Sequence, residues 1–244
     1  MRVALISDVH GNLAALESIL DALSPFDAVW HLGDIVGYGP DPVAVVRRLE
    51  AAGAIGVRGN HDSAAIGEID TEWFNDAARA AVEWSARQLT PETTDWLAGN
   101  PQTRVEGEFT LAHGSPRDPL WEYLYSTSLA RVNLASFSTP YCLVGHTHVP
   151  LAFRETIGSE DGAMEMIAPD DGTVLELDAR RTILNPGGVG QPRDGDPRAS
   201  GALLDTSART VTWKRAAYAV AVTQRAMQVA GLPQRLIDRL DQGF

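Results

Sequence analysis

Short apolar, β-branched runs alternate with longer runs of helical periodicity at the start of this chain, and each apolar run breaks off at a residue able to bind a metal. Residues 2–7 read as a buried strand that stops at Asp8. A helix follows, opened by Asn12, with apolar residues at helical spacing from Leu13 to Leu23 and a stop at Ser24-Pro25. Residues 27–32 form the next strand, ending at Gly33-Asp34, and Asp41-Pro42 caps a second helix reaching Ala52. The third strand, 54–57, ends at Asn60-His61. Strand, helix, strand, helix, strand predicts right-handed parallel crossovers within one sheet.

Beyond this unit, 75–89 and 91–97 read as helices. Residues 103–105 and 109–112 read as a strand pair around Gly107 that runs into His113. An aromatic-rich loop over 118–125 and a helix over 127–137 lead to a strand at 141–144 and then to Gly145-His146-Thr147-His148. The remainder is strand-rich: 151–154, 164–168, 173–177 and 181–184, then a hairpin of 202–205 with 210–215. Two helices, 219–230 and 234–240, broken at Gly231-Leu232-Pro233, close the chain. With no repeat or linker in sight, residues 1–244 are expected to form a single domain.

In open α/β sheets the ligand crevice lies beyond the carboxyl ends of the strands. The pattern therefore predicts that Asp8, His10, Asp34, Asn60, His61, His113, His146 and His148 gather at one sheet edge. Asp8 and His10, two apart where a strand unwinds, can face one ion. The Asp34 carboxylate has two oxygens and can bridge two. An Asn oxygen such as that of Asn60 is a weak ligand, useful only where carboxylates and imidazoles complete the shell, and Gly59-Asn60-His61-Asp62 alone is equally a turn after a strand. Asp62 can orient His61 or cap a helix. Of the six histidines only His31 lies outside these blocks, and it reads as structural. The donor set is all oxygen and nitrogen, which suits Mn, Fe, Zn, Co or Ni better than Ca and excludes a blue-copper site.

The blocks Asp8-x-His10, Gly33-Asp34, Gly59-Asn60-His61-Asp62, His113 and Gly145-His146-x-His148, in that order, resemble the calcineurin-like metallophosphoesterase superfamily. The resemblance implies a four-layer α-β-β-α sandwich of two mixed sheets flanked by helices. It implies two divalent metal ions, manganese first among them. One would be held by Asp8, His10, Asp34 and His148, the other by Asp34, Asn60, His113 and His146. His61 would be the general acid. Two cations roughly 3.5–4 Å apart hold both oxygens of an in-line displacement and acidify a bridging water to hydroxide, so no protein base is required. Protein phosphatases of the superfamily carry GD-x-[VI]-DRG. Here Gly33-Asp34-Ile35-Val36-Gly37-Tyr38-Gly39-Pro40 replaces that block, which disfavours a protein substrate. The block is similar to a bacterial branch of small phosphodiesterases and phosphatases related to diadenosine-tetraphosphate hydrolases.

The expected activity is hydrolysis of phosphodiesters of small nucleotide-like compounds. Phosphomonoesterase activity and an inactive metal-site scaffold are the alternatives. In the Gly/Pro-rich stretch 185–198, Arg193 and Arg198 either reach a substrate phosphate or pair with Asp194 and Asp196. Tyr38, Trp121, Tyr123 and Tyr125 either stack on a base or serve packing. A net charge of −12 disfavours polymeric nucleic acid, which is bound through Lys and Arg. The single cysteine, Cys142, sits in an apolar run and reads as a buried strand thiol. Residues 1–8 turn polar too soon for a signal-peptide core, and no run approaches the roughly 18 apolar residues of a membrane span. The cytoplasm is the expected compartment.

Overall fold

The structure, a computed structural model, describes residues 1–158 and 162–244. Two six-stranded mixed sheets are built from strands spread along the whole chain. The first contains β1 (Arg2–Ile6), β2 (Ala28–His31) and β3 (Ile55–Gly56), all parallel, as the crossovers predict. It continues through β11 (Ala199–Asp205), antiparallel to β1, then β12 (Thr210–Ala216) and β9 (Val174–Glu176). The second sheet runs in the order β4 (Thr103–Glu106), β5 (Phe109–Ala112), β6 (Tyr141–Leu143), β10 (Thr182–Pro186), β7 (Pro150–Glu155), β8 (Met164–Ile167).

The two-residue alternation of strands explains the layering. In β1, Val3 and Leu5 face a core shared with Phe109, Leu111, Tyr141 and Leu143 of the second sheet, together with Trp30 and Trp213. Ala4 and Ile6 face the other way, into a second core. Helix α1 (Leu13–Leu23) supplies Leu16 and Ile19 to that core, and α2 (Pro42–Ala51) supplies Val45, Val46 and Leu49. It also receives α3 (Asn60–Ala65), α4 (Asp76–Gln88), α5 (Pro91–Ala98), α7 (Val220–Val229) and α8 (Gln234–Asp238). On the outer face of the second sheet, Cys142, Val144, Phe153 and Ile183 pack with Ala130 of α6 (Thr127–Asn133). Helices, sheet, sheet, helix is the four-layer sandwich that the resemblance implies. Burial pushes the Cys142 thiol up, so it stays protonated in its strand.

Three local readings change. The helix expected to reach residue 137 ends at Asn133 and tightens into a 3-10 turn, Leu134–Ser136. Asn133 turns its side chain inward, accepting from Arg117 N (3.1 Å) and donating to Glu122 (2.7 Å), which ties the helix end to the 115–122 loop. Helix α3 starts at Asn60 with Gly59 as its cap, so Asp62 lies inside the first turn rather than before it. The strands carrying the polar blocks belong to two sheets, so the blocks meet at a seam between sheets instead of along one sheet edge.

Candidate metal centre

Each block follows a strand end; four of the five are joined in pairs by backbone hydrogen bonds, and the Gly59–Asp62 block is tied to the Asp34 block through the two carboxylates. Asp8 N donates to Gly33 O (3.0 Å) and His10 N to Asp34 O (2.9 Å), which zips the loops after β1 and β2 together. Gly145 N donates to His113 O (2.8 Å) in the second sheet, and His146 N reaches across the seam to Asp8 Oδ2 (3.1 Å). Close approach explains two motif glycines: a Cβ on Gly59 would strike the Asp34 carboxylate, and one on Gly145 would strike Ser7 Oγ. Asp8, His10, Asp34, His146 and His148 all have positive φ, between 47° and 63°. That left-handed backbone costs of order 1–3 kcal/mol per residue and survives only where surrounding bonds over-determine it. Its concentration at these residues marks a built site.

The side chains converge in three buried groups: Asp8, His10 and His148; His10, Asp34 and His61; Asp34, His113 and His146. Asp34 Oδ2 lies 3.6 Å from His10 Nε2 and 3.3 Å from His113 Nε2, so one oxygen faces both ends of the cluster. At one end His148 Nε2 is 3.2 Å from both Asp8 Oδ1 and His10 Nε2. At the other, His113 Nε2 is 3.2 Å from Asn60 Oδ1 and 3.0 Å from His146 Nδ1.

Carbonyl oxygens select the tautomers. His10, His113 and His148 each place Nδ1 against a carbonyl, of Val36 (3.1 Å), Leu32 (2.7 Å) and Gln191 (2.5 Å) respectively. Nδ1 then carries a proton, so in the neutral form of each ring Nε2 is a lone pair aimed inward. Lone pairs of His10 and His148 facing each other at 3.2 Å repel unless an electrophile lies between them. Asp8 Oδ1 and His146 Nε2 are buried without hydrogen-bond partners, a condition that costs about 1–3 kcal/mol each unless met by another ligand. The residues present therefore fit divalent cations.

Burial pushes His10, His146 and His148 well below the ordinary histidine range, which keeps them neutral and able to ligate. Burial also raises Asp8, with Asp34 adding to it. Burial acts to raise Asp34 as well, but His113 and His61 outweigh it and hold its carboxyl low, while Asp34 lifts His113 against the burial of that ring. The Asp34–His113 pair thus carries a proton where a cation would otherwise balance the charge.

His61 sits beside the cluster. Its backbone N donates to Asp34 Oδ1 (2.9 Å), and its ring lies 4.5 Å from Tyr38 and 4.8 Å from both Phe74 and His10. Burial pushes it down to about 4. Asp62 does not orient this ring. Its Oδ1 accepts from Ile35 N (2.8 Å) and Val36 N (3.0 Å) and its Oδ2 from Gly59 N (3.1 Å), fastening the Asp34 loop to α3. Asp62→Ala would orphan those three buried donors, so urea denaturation is expected to show a loss of at least about 2 kcal/mol; an unmoved midpoint would refute the fastening role.

A cavity of about 90 Å³ opens over the cluster, lined by Asp34, Asn60, His61, His146, His148 and Arg193 together with aromatic side chains. Arg193 donates to Gln191 Oε1 (3.2 Å) and the Tyr38 hydroxyl (3.4 Å), and its Nε is buried without a partner. Arg198 takes the second of its two alternatives. It pairs with Asp196 (2.6 Å) and Asp171 (3.3 Å) on the exposed surface, while Asp194 pairs with Arg215. The aspartate pairing weighed for both arginines is therefore realised at Arg198 alone. His31 is buried against Trp96, away from the cluster. The sequence reading missed Phe74, which packs on His61, and Trp73; no local motif marks either. Tyr123 lies flat against His146 (centroids 3.9 Å apart) and Tyr125 stacks on Tyr123 at 5.8 Å.

A four-layer sandwich with an Asp/His cluster at its sheet seam defines a metal-dependent phosphoesterase. The family model of the calcineurin-like phosphoesterase superfamily domain matches residues 1–209, and the chain belongs to that superfamily. It is similar to a metallophosphoesterase of Sphaerobacter thermophilus of known crystal structure, at 47% identity and a TM-score of 0.90, covering 100% of this chain and 99% of the other. Phosphodiesterase YfcE of Escherichia coli K12 is 28% identical over 225 residues, 86% of this chain and 91% of the relative. A symmetrical bis(5'-nucleosyl)-tetraphosphatase of Dechloromonas aromatica is 30% identical over 140 residues, 54% of this chain and 49% of the relative, so the match spans about half of each. Among the described residues no helix is long and apolar enough to cross a membrane.

Proposed function

We propose that the protein hydrolyses phosphodiesters of small, nucleotide-like compounds with two divalent cations, manganese first among them. Asp8, His10, Asp34 and His148 would hold one, and Asp34, Asn60, His113 and His146 the other. The observation that carries this reading is the Asp34 carboxylate, with one oxygen facing His10 on one side and His113 on the other. When bound, such a cation pair supplies an acidified water and neutralises charge on the phosphoryl oxygens.

The chain's own groups do the rest. His61 protonates the departing alkoxide. Buried and neutral in isolation, it needs its affinity for protons raised, and a phosphodiester anion set beside it does this in the same sense as Asp34 already does. Arg193, without a carboxylate among its hydrogen-bond partners, offers its guanidinium to a phosphoryl oxygen. Asp62 keeps the Asp34 loop in place. Arg198 has no part in this reading.

The test is turnover by the stripped protein reloaded with Mn²⁺, on bis-p-nitrophenyl phosphate and on p-nitrophenyl phosphate. Diester turnover well above monoester turnover is expected. The reverse preference would make the protein a phosphomonoesterase, and no turnover with Mn, Fe, Zn, Co or Ni would leave only a scaffold role.

A further inference from the structure

The cavity over the cluster, at about 90 Å³, is far smaller than the roughly 300–1,000 Å³ that encloses a drug-sized ligand. It takes a phosphoryl group and little more, so the organic arms of a diester must rest on its rim. All six tryptophans lie among the described residues, and of the six only Trp73 is exposed, at 80%; it lines this cavity. Single exposed apolar side chains are ordinary on a protein surface; what singles out Trp73 is that its large ring, whose burial is worth about 25 cal/mol per Å², stands on the rim of this cavity.

The turn that presents Trp73 is braced rather than loose. Arg79 donates to the carbonyls of Thr71 (3.2 Å), Glu72 (3.3 Å) and Phe74 (3.4 Å), the residues on either side of Trp73. Asp70 caps the same turn through Glu72 N (2.9 Å), and Thr71 binds Glu83 (3.2 Å). The next residue, Phe74, is buried and packs edge-on against both His61 and Trp121. Trp73 is thus held one residue outside the wall that contacts His61.

We infer that Trp73 is the stacking platform for a planar heteroaromatic group, such as a nucleobase, carried on one arm of the phosphodiester, and so sets selectivity for nucleoside esters over simple alkyl esters. The inference rests on the phosphodiesterase reading but concerns selectivity, so the two can fail separately. The aromatic preference needs no hydrogen-bond pattern, because every base presents a π face. The rim therefore selects for flatness and not for one base.

The first experiment compares the p-nitrophenyl ester of thymidine 5'-monophosphate with methyl p-nitrophenyl phosphate on the Mn²⁺-loaded protein. In Trp73→Ala the ratio of kcat/KM for the nucleoside ester over the methyl ester is expected to fall about 5- to 150-fold, through KM, and Trp73→Phe is expected to restore most of it. Arg79→Gln, which frees the turn, should lower the ratio in the same direction by less. An unchanged ratio in Trp73→Ala overturns the inference, including when the variant instead alters sedimentation, which would make Trp73 a protein-contact residue. If no ester is turned over, the phosphodiesterase reading fails. The platform is then judged by calorimetric titration of the loaded protein with adenosine 5'-monophosphate and with inorganic phosphate. Weakening of the nucleotide beyond that of phosphate in Trp73→Ala supports it, and equal weakening refutes it.

Discussion

His61→Ala is expected to lower kcat by about 10²–10⁴-fold on diesters with an alkoxide leaving group, and far less on p-nitrophenyl esters. An alkoxide leaves as a strong base and needs a proton in the transition state, whereas p-nitrophenolate departs unaided. The loss should therefore grow with leaving-group basicity, and a plot of log kcat against leaving-group pKa should be steeper for the variant. His61 suits the role by position. Its backbone is locked to Asp34, its ring is walled by Tyr38 and Phe74, and it lines the cavity above the metal-binding cluster. A loss of equal size for every leaving group would instead show that the imidazole shapes the site without donating a proton. Asp34→Asn cannot substitute for this experiment, because it would disturb the donor cluster and His61 N together.

Chelation should abolish turnover down to the uncatalysed background, and Mn²⁺ should restore it. It should also lower the melting temperature, since a ligand at 100 times its Kd stabilises by about 2.7 kcal/mol, or about 5–10 °C for a chain of this length. The pH dependence has a definite sign. Asp34 raises His113, so around neutral pH this ring holds a proton that it must release to ligate. Metal affinity should therefore fall as pH falls, and uptake should release protons measurable as a buffer-dependent heat. Turnover and melting temperature that both survive chelation would remove the metal from the mechanism.

Much of this was legible in the sequence, because strands that end on ligands carry their own punctuation. Residues 2–7, 27–32 and 54–57 are short, apolar and β-branched, and each breaks at a polar block; the parallel order of β1, β2 and β3 followed. The assembly of these ends with those of β5 and β6 across two sheets did not follow from local pattern. It depends on which inner faces pack, a property of Val3, Leu5, Leu111 and Leu143 taken together. Arg193 and Arg198 lie in one Gly/Pro-rich loop with aspartates near both. Only the path of the chain decides that Asp194 meets Arg215 and Arg198 meets Asp196, leaving Arg193 without an acid among its hydrogen-bond partners. The same holds for Asp62, whose spacing suits a cap or a histidine orienter, while its bonds to Ile35 and Val36 span 27 and 26 residues. Trp73 offered no signal, since composition cannot distinguish a buried tryptophan from an exposed one.

Asp8, His10 and Asp34, on loops, and Asn60, at the start of α3, follow strands of one sheet, and His113, His146 and His148 stand on loops of the other. Neither half holds a complete donor set, so separating the layers by the width of a side chain dismantles both proposed coordination shells at once. Catalytic competence thus becomes a gauge of the whole sandwich: on heating, activity and tertiary structure should be lost along a single curve, with no partly opened form that still turns over substrate.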